Sequence, residues 1–565
     1  MSMTKAPDTD IAIVGGGIGG IYTGWRLLAS DDLGEQVAPW AAARNGGLKI
    51  SIFEGSDRIG GRLLSARSPH MPDTTVEVGG MRYVTAQKLI TNLVERVLEL
   101  PYHQQMVFAD ENIAFLRGRL LRQTQLGDAD VLPYFFDAAE AAWLAARTKQ
   151  NPAGLIGRVL TRMMPDIAAH LSDGTLREYL ATIRIDDEPL WKHGFWNLLS
   201  REMSVDGHEA AQTLVGYDCL GGNYNALDTT AEFFDFTPDV KFRMVDAGYE
   251  TVPWLLQDRF VKAGGDLHLN QWLDGFEGVT LGDGTKGVRL TMRDGRTLTA
   301  RAIVLAMPRR SIELLRPTGE VLDPANTNFR HGLASVSGVP LFKLFLLYKE
   351  CWWQDAGVTK GRSLTDMPLR QCFYWPSGPE GLTVPRRNDP GLLMAYDDQA
   401  SVGFWASLDT RGHAQKAGMP LGVTHPEQHW RQFERVSAPQ PTVTDPFAAR
   451  LFNNWHHHSA TRQMVTEMHR QLMAMHGVDS APEPIDAAYM DWSRDPFGGG
   501  VHLWNTNYDS AKVLEYMAQP VADFPCYICG EAYSTNQTWA EGALQTAEIV
   551  LERLRVPGLA PAGAA

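Results

Sequence analysis

Cysteine is scarce in this sequence, with five residues in a chain of 565. A disulfide scaffold would need far more, so that class of protein is excluded and a reducing compartment is favoured. Long apolar runs are also missing, because even the stretch from Leu341 to Tyr348 is interrupted by Lys343. A membrane-spanning helix needs about 20 apolar residues in a row, so none is expected. The first residues carry no basic and then apolar leader, which predicts a cytoplasmic protein.

Positive charge is in deficit, since 52 lysines and arginines face 66 aspartates and glutamates, a net charge of −14. Nucleic-acid phosphates are bound by clustered basic residues, so nucleic acid is not expected as a partner. A local basic pocket for a small anion remains compatible with this balance. Hydrophobic residues make up 44% and charged residues 21%, which is typical of a folded protein with a large core. At about 150 residues per domain, the length indicates several domains or one domain with insertions.

A glycine-rich turn follows the first apolar run, Ile11 to Val14. Gly15, Gly17 and Gly20 fill the three positions of a GxGxxG motif. The first glycine permits a tight turn, the second lets backbone N–H groups approach a pyrophosphate, and the third lets helix and strand pack closely. The N-terminus of the next helix would attract the negative charge. The motif alone could mark a simple turn, but its flanking strand and helix predict a dinucleotide site.

The second strand of this unit, residues 48–54, ends at Glu54, which could accept hydrogen bonds from ribose hydroxyls. Glu54 lies 34 residues after Gly20, whereas the usual separation is about 20. An insertion at residues 31–47, predicted as a surface excursion, accounts for the difference. Strand, glycine turn, helix and strand together predict a βαβ unit with a parallel sheet.

Motifs further along the chain resemble the flavin-containing amine oxidase superfamily. Ile59-Gly60-Gly61-Arg62 and Glu77-Val78-Gly79-Gly80-Met81-Arg82 follow Glu54, and Gly530-Glu531 and Trp539-Ala540-Glu541-Gly542-Ala543 lie near the end. The resemblance implies that Arg62 contacts the FAD diphosphate and that Glu531 binds the ribityl chain. The last helix would face the flavin with its N-terminus. The FAD-binding residues so implied are Gly15, Gly17, Ile18, Gly19, Gly20, Glu54, Gly61, Arg62, Gly79, Gly80, Met81, Arg82, Leu273, Gly530, Glu531, Trp539 and Ala540.

The resemblance also implies an α/β fold, in which a Rossmann-like FAD-binding domain is assembled from discontinuous segments. The expected FAD-binding segments are 10–84, 236–312 and 511–556. A mixed-sheet substrate domain is expected at 85–120 and 313–510, and a helical insertion at 121–235. Apolar residues recur at helical spacing across much of this insertion.

Lys343 lies in the apolar strand 342–348, where a charged amine is costly unless it is paired or functional. The strand resembles the amine oxidase strand whose lysine holds a water against flavin N5. The resemblance implies that Lys343 orders this water and promotes the reaction of reduced flavin with O2. The alternative is a lysine that extends its amine to the surface.

Arg82 suggests that the substrate carries a carboxylate, which a planar guanidinium can bind through two hydrogen bonds. Arginine in this G-G-M-R context resembles the L-amino-acid oxidases, and so does the segment 363–374. That likeness makes Tyr374 the second carboxylate ligand, although Phe373 before it leaves the register open by one residue. As alternatives, Arg82 could contact a phosphate or form a structural ion pair, and Tyr374 could be a core residue.

Aromatic residues are expected beside the flavin, with Trp539, and less firmly His502 or Trp504, pressing the substrate amine toward N5. Covalent monoamine oxidases have their flavin-linking cysteine where Val501 stands, so FAD should be bound non-covalently. The pair Cys526 and Cys529 is interpreted as buried and structural, and His456 to His458 as a solvated helix face. No metal site is predicted.

The resulting hypothesis is an FAD-dependent L-amino-acid oxidase. Hydride transfer from Cα to flavin N5 would yield 2-oxo acids, ammonia and hydrogen peroxide, with an L-amino acid and O2 as small-molecule partners. An amino-acid 2-monooxygenase giving an amide, an amine or polyamine oxidase, and a flavoprotein with only a binding role remain open. The side-chain preference stays open as well, and the resemblance implies a homodimer.

Overall fold

The computed structural model describes residues 6–30, 32–44, 47–145, 154–218, 222–234, 240–375, 385–409, 432–439, 441–554 and 556. The strands are β1 Thr9–Val14, β2 Ile50–Phe53, β3 Ser65–Ala66, β4 Val76–Glu77, β5 Tyr83–Val84, β6 Tyr102–Gln104, β7 Ile113–Leu116, β8 Arg119–Arg122, β9 Arg184–Ile185, β10 Glu188–Pro189, β11 Phe242–Val245, β12 Asp266–His268, β13 Leu273–Thr280, β14 Lys286–Met292, β15 Thr297–Leu305, β16 Val336–Val339, β17 Leu341–Tyr348, β18 Arg362–Thr365, β19 Gln371–Trp375, β20 Gly391–Asp398, β21 Asp486–Asp491, β22 Val501–Trp504 and β23 Cys526–Ile528.

The α-helices span Ile18–Ala29, Gly34–Ala42, Lys88–Asn92, Ala138–Ala145, Gly154–Met163, Ile167–Asp173, Leu176–Thr182, Phe195–Leu199, Val205–Val215, Ala226–Phe234, Thr251–Lys262, Arg309–Glu313, Gly319–Leu322, Thr327–Ala334, Ala400–Ser407, Pro446–His457, Arg462–His476, Ser510–Ala518 and Ala540–Arg553. Short 3-10 or π-helical turns lie at Leu93–Val97, Gln123–Gln125, Leu190–Lys192, Trp352–Ala356 and Glu531–Tyr533. In the described part of the chain, no helix is long and apolar enough to cross a membrane.

The first sheet has seven strands and joins distant parts of the chain. Its path runs β12-β2-β1-β15-β14-β13, and β23 pairs with β15. β1 is parallel to β2 and β15, and β23 is parallel to β15, so the parallel part draws on the start, middle and end of the sequence. All six residues of β1 are buried, as expected for a strand that is covered on both faces. The prediction of a Rossmann-like domain assembled from discontinuous segments is therefore confirmed.

The core beside this sheet joins the same three parts of the chain. Helices Ile18–Ala29, Thr251–Lys262 and Ala540–Arg553 contribute Ile21, Phe260 and Leu544, all fully buried, to one apolar cluster. Their packing fixes where the glycine turn stands relative to the last helix. A change in any one segment would therefore disturb the position of the other two.

The second sheet, also of seven strands, runs β21-β17-β20-β19-β18-β7-β8. β17 is buried over its whole length and pairs antiparallel with both β20 and β21, which places Lys343 opposite Tyr396. Because side chains alternate across a strand, this central strand presents residues to two different environments. This is the mixed-sheet substrate domain that the sequence predicts.

The predicted helical insertion is also present. Helices between Ala138 and Phe234 form their own apolar cluster, to which Leu160, Trp196 and Leu214 belong, and this cluster includes Ala114 of β7. The insertion therefore packs directly on the edge of the second sheet. The segment boundaries drawn from the sequence remain predictions.

Candidate active site

A cavity of about 390 Å³ lies between the two sheets. Its wall includes the glycine turn after β1, Leu273 of β13, Lys343 of β17, Arg82 and Trp539. The fold thus brings residues from distant segments to one space.

The glycine turn is built for close backbone approach. Gly15 has φ +111°, and a Cβ there would lie 2.3 Å from the carbonyl oxygen of Ala306. A Cβ at Gly20 would lie 2.0 Å from the carbonyl oxygen of Gly15, so the helix could not pack this close to the strand. The helix that begins at Ile18 has neither a side-chain cap nor an acidic residue in its first turn. Its amide groups therefore suit an anion at the cavity wall.

Glu54 follows β2 directly and lies at the wall near Leu273. Its carboxylate accepts hydrogen bonds from the backbone N–H of Gly16 at 2.7 Å and from the N–H and hydroxyl of Ser56 at 2.8 and 2.7 Å. These donors hold the Glu54 carboxylate at the end of the strand. This is the position at which the sequence pattern predicts an acidic residue that binds ribose.

Arg62 and Glu531 meet across the middle of the cavity, 2.9 Å apart. Glu531 also accepts from the N–H of Thr538 at 3.0 Å and from His502, whose backbone N–H lies at 2.7 Å and Nδ1 at 2.9 Å. Burial would raise the pKa of Glu531, but Arg62, His502 and the backbone donor outweigh it and lower the pKa to about 2. The carboxylate is therefore ionised at physiological pH and fixed in one orientation.

Lys343 does not extend its amine to the surface. The residue is 4% exposed, and Nζ donates to the carbonyl oxygens of Glu77 at 2.8 Å and Gly79 at 2.6 Å. Nζ also lies 5.1 Å from the centre of the Tyr396 ring. Burial lowers the pKa of Lys343 to about 7, Glu77 opposes that shift and Arg82 adds to it. Burial likewise raises the pKa of the Glu77 carboxyl to about 8.

Arg82 is buried at the wall of the same cavity. Its Nη1 donates to Gln105 Oε1 at 2.9 Å and its Nη2 to the hydroxyl of Tyr217 at 3.0 Å, while the guanidinium lies 4.0 Å from the centre of the Phe242 ring. Within the described residues, no carboxylate forms an ion pair with Arg82. The guanidinium is thus held by neutral groups beside an open space.

Comparison with known proteins now identifies the family. Residues 18–444 match the family described as flavin containing amine oxidoreductase, which is more than half of the chain. The chain belongs to this family. The resemblance noted in the sequence is therefore confirmed, and a flavin is the cofactor.

Individual relatives are distant but extend over most of the chain. Aplysianin-A from Aplysia kurodai is 26% identical over 580 residues, covering 96% of this chain and 89% of the relative. L-amino acid oxidase Cdc18 from Crotalus durissus cumanensis is 20% identical over 473 residues, covering 79% of this chain and 80% of the relative. The solved structure of cyclohexylamine oxidase from Brevibacterium oxydans has a TM-score of 0.60 at 16% identity, with 97% and 99% of the two chains covered. At this identity, the structural likeness shows the fold alone.

The cavity of this amine oxidoreductase fits a dinucleotide flavin. The glycine turn leaves no room for side chains where a diphosphate would approach, and uncapped amides face that place. The cavity wall includes nearly all of the FAD-binding residues implied by the resemblance, namely Gly15, Gly17, Ile18, Gly19, Glu54, Gly61, Arg62, Gly79, Gly80, Met81, Arg82, Leu273, Gly530, Glu531, Trp539 and Ala540. Gly20 stands behind this wall as the helix–strand contact.

Tyr374 requires a correction, because its side chain lies on the far side of the second sheet. Its hydroxyl donates to Ser363 Oγ at 2.7 Å and lies 2.9 Å from Nε2 of His476, within an apolar cluster. The neighbouring Phe373 faces the cavity side, where its ring lies 6.3 Å from that of Tyr396. The alternative of a core tyrosine therefore describes Tyr374, which is not among the described residues that line the cavity.

His502 and Trp504 also require a correction, since neither is among the described residues that line the cavity. His502 is directed at Glu531, as given above, and Trp504 donates its Nε1–H to the carbonyl oxygen of Ser534 at 3.0 Å. On β22 it is Val501 that faces the cavity. Trp539 does line it, just before the last helix begins, and packs with Phe242.

Several residues of the cavity wall were not predicted from the sequence, among them Tyr217, Tyr396 and Asp398. Asp398 Oδ1 accepts from the N–H of Asp218 at 2.7 Å, which ties β20 to the segment after the helix Val205–Val215. Tyr396 and Asp398 carry no alternating signal, because Tyr396, Asp397 and Asp398 follow one another at the end of β20. Tyr217 carries none, since only the fold brings it to Arg82.

The cysteine pair and the histidine run noted in the sequence lie outside the cavity wall. Cys526 and Cys529 are buried in clusters on opposite faces of the first sheet, and burial raises the pKa of Cys529 to about 12 and that of Cys526 further. His456 and His457 are exposed on their helix. Among the described residues, no group of three or more His, Cys, Asp or Glu side chains converges as a metal site.

Proposed function

We propose that this protein is an FAD-dependent L-amino-acid oxidase, which deaminates its substrate to a 2-oxo acid and ammonia and reduces O2 to hydrogen peroxide. The observation that carries the proposal is the setting of Arg82. A buried guanidinium is costly without a charged partner, and the groups that accept hydrogen bonds from Arg82 are neutral. The α-carboxylate of an amino acid is the anion that this position suits, through two parallel hydrogen bonds.

The hydroxyl of Tyr217 takes the place that the sequence had assigned to Tyr374. It accepts from Arg82, so a carboxylate bound at the same guanidinium would lie beside this hydroxyl. The ring of Tyr217 lies edge-on to that of Tyr396, 5.7 Å away, which limits its movement. Arg82 and Tyr217 would hold the substrate by its carboxylate and so fix where Cα lies.

FAD would be held without a covalent bond. Val501 faces the cavity on β22, and the four cysteines that the structure describes are buried outside the wall. The chemistry that bound FAD supplies is two-electron oxidation at the substrate Cα and transfer of the electrons to O2. The imino acid product hydrolyses in water to the 2-oxo acid and ammonia.

Lys343 would act at the reacting face. The carbonyl oxygens of Glu77 and Gly79 accept hydrogen bonds from two of the three N–H groups of the Lys343 ammonium. The third N–H group can therefore bind a water. A pKa of about 7 allows the amine to gain or lose a proton near physiological pH. Trp539 lines the same cavity and packs with Phe242, and this apolar contact would help to keep bulk water from the reacting groups.

The test uses the holoenzyme and pairs of L-amino acids with the amines that lack their carboxylate. Each compound is added anaerobically and bleaching of the flavin absorbance is measured. We expect bleaching by at least one amino acid and at least about 100-fold slower bleaching by its matched amine. Equal or faster bleaching by the amine would identify an amine oxidase, and bleaching by none of these compounds would favour a binding role.

Products then separate the oxidase from the monooxygenase. Peroxide, ammonia, 2-oxo acid and amide are measured together in air with the best amino acid. The assay contains no catalase, and a reagent traps the 2-oxo acid as it forms. Under these conditions we expect peroxide, ammonia and 2-oxo acid in equal amounts. Amide in place of peroxide would contradict the proposal. Both D-enantiomers and L-enantiomers are assayed, because the preference for L rests on the family resemblance.

A further inference from the structure

A second buried guanidinium, that of Arg362, lies behind Tyr217. Arg362 is the first residue of β18 and is 4% exposed. It stands opposite Phe373 of β19, on the sheet face that carries the cavity residues. Its guanidinium lies 5.6 Å from the centre of the Tyr217 ring and 5.2 Å from that of Phe108. Tyr217 therefore lies between two arginines, Arg82 at its hydroxyl and Arg362 at its ring.

The partners of Arg362 are neutral. Nη1 donates to Gln371 Oε1 at 2.8 Å, and Nε is buried without a hydrogen-bond partner in the described parts of the chain. Asp218, the carboxylate nearest in sequence to Tyr217, forms its ion pair with Arg370 at 2.8 Å. Within the described ranges no carboxylate lies within ion-pair distance of Arg362. The positive charge of Arg362 is thus not compensated locally.

The chain is shaped around this contact. Gly216 ends the helix Val205–Val215 with φ +80°, a conformation that favours glycine. A Cβ on Gly216 would lie 3.2 Å from Nη1 of Arg362. The turn thus lets Tyr217 pass directly over the guanidinium and continue to Arg82. A buried cation is costly to desolvate, and this one lies against the tyrosine that accepts a hydrogen bond from Arg82.

We propose that Arg362 is the second cation of the carboxylate subsite and acts through Tyr217 as a positioning residue. It holds the phenol ring by a cation–π contact and adds positive potential behind the hydroxyl that meets the substrate. Without an anion, the like charges of Arg82 and Arg362 repel each other: burial lowers the pKa of Arg362, and Arg82 adds to that shift. A bound carboxylate relieves this repulsion. The inference rests on the proposed function, because it assumes a carboxylate at Arg82.

Binding of benzoate and benzamide to the oxidised holoenzyme tests the proposal, with perturbation of the flavin spectrum as the readout. The two probes have the same shape and differ in charge. We expect R362M to raise the Kd of benzoate about tenfold and that of benzamide by less than about twofold. R362K, which keeps the charge but loses the planar group, should raise the benzoate Kd about threefold.

The dependence on Tyr217 is tested by a double-mutant cycle. In the Y217F background, R362M should raise the benzoate Kd by less than about threefold, because the hydroxyl that transmits the effect is gone. An equal loss of both probes would indicate a structural role and overturn the proposal. An unchanged benzoate Kd, or the same tenfold effect in the Y217F background, would overturn it too. Should R362M fail to fold with FAD, R362K decides by the same two criteria.

R82M separates failure of this inference from failure of the proposed function. If R82M leaves benzoate binding unchanged, no carboxylate binds at Arg82 and the proposed function fails with the inference. If R82M weakens benzoate but R362M does not, only the role of Arg362 is rejected.

Discussion

The two faces of the second sheet differ in the surroundings that they give to polar side chains. On the cavity face, Lys343 and Tyr396 stand opposite each other on adjacent strands beside an open space. On the packed face, Tyr374 and His476 satisfy each other within an apolar cluster. The same strands supply both faces, because side chains alternate along each strand. We therefore expect the chemistry on the cavity face and a supporting role for the packed face.

This difference separates two kinds of buried polar group. The buried hydroxyl of Tyr374 has its hydrogen-bond partners, Ser363 and His476, within the protein. It therefore needs no ligand to satisfy it. Arg82 and Lys343 are held by backbone carbonyls and neutral side chains, which orient them without cancelling their charge. Groups of the second kind are the ones that we expect to bind substrate or move protons.

Replacing a charge on the cavity face should have the largest effect. Arg82→Met should lower kcat/KM for the preferred amino acid, because the carboxylate loses its charged partner. The expected loss of transition-state stabilisation is about 2–5 kcal/mol. Steady-state peroxide release measures this. Arg289→Met is the matched control, because Arg289 is exposed on β14 and paired with Glu277. Unchanged turnover in Arg82→Met would mean that Arg82 does not touch the substrate.

The packed face should respond to acid instead of substrate. Burial lowers the pKa of His476 to about 4, so its neutral form is favoured in the folded protein. The unfolded chain takes up this proton below about pH 6.5, and stability is lost as the pH falls from there to about 4, by up to about 3 kcal/mol. His476→Gln should lose less stability than the parent over this range. Thermal unfolding at pH 6.5 and 4.5 measures it, and equal losses in both proteins would exclude His476 as the group.

Lys343→Met should slow reoxidation of the reduced enzyme by O2 about 100-fold, because the residue that orders the water and carries the proton is removed. Reduction by substrate should change far less. Stopped-flow traces of the two half-reactions distinguish these outcomes. Lys349→Met provides the control, since Lys349 follows the same strand but is exposed. A slower reduction with normal reoxidation would assign Lys343 to substrate binding instead.

The dinucleotide half of the fold could be predicted because its signals are local. Gly15 is required by its positive φ and Gly20 by a contact within the turn itself, and Glu54 follows from the end of a strand. The insertion before β2 changes the spacing but not this geometry. Lys343 could be found for a similar reason, because a lysine inside an apolar strand is conspicuous at any register.

The substrate half could be predicted only in part, because it depends on register and on distant contacts. In the structure Phe373 of β19 faces the cavity side, and a shift of one residue would place Tyr374 there instead. The sequence left this register open. Alternation on β22 likewise turns Val501 to the cavity and His502 away from it. Tyr217 is 135 residues from Arg82, and only the packing of the helical insertion joins them.

The most direct test of the account compares Tyr217→Phe with Tyr374→Phe, which remove one hydroxyl each from the two faces. The central claim is that the carboxylate is bound from the cavity face alone. Tyr217→Phe should raise KM for the preferred amino acid about tenfold, since a hydrogen bond to a charged group contributes about 1.5 kcal/mol or more. Tyr374→Phe should leave KM within about twofold and lower only the stability. A raised KM in Tyr374→Phe with a normal KM in Tyr217→Phe would contradict the account.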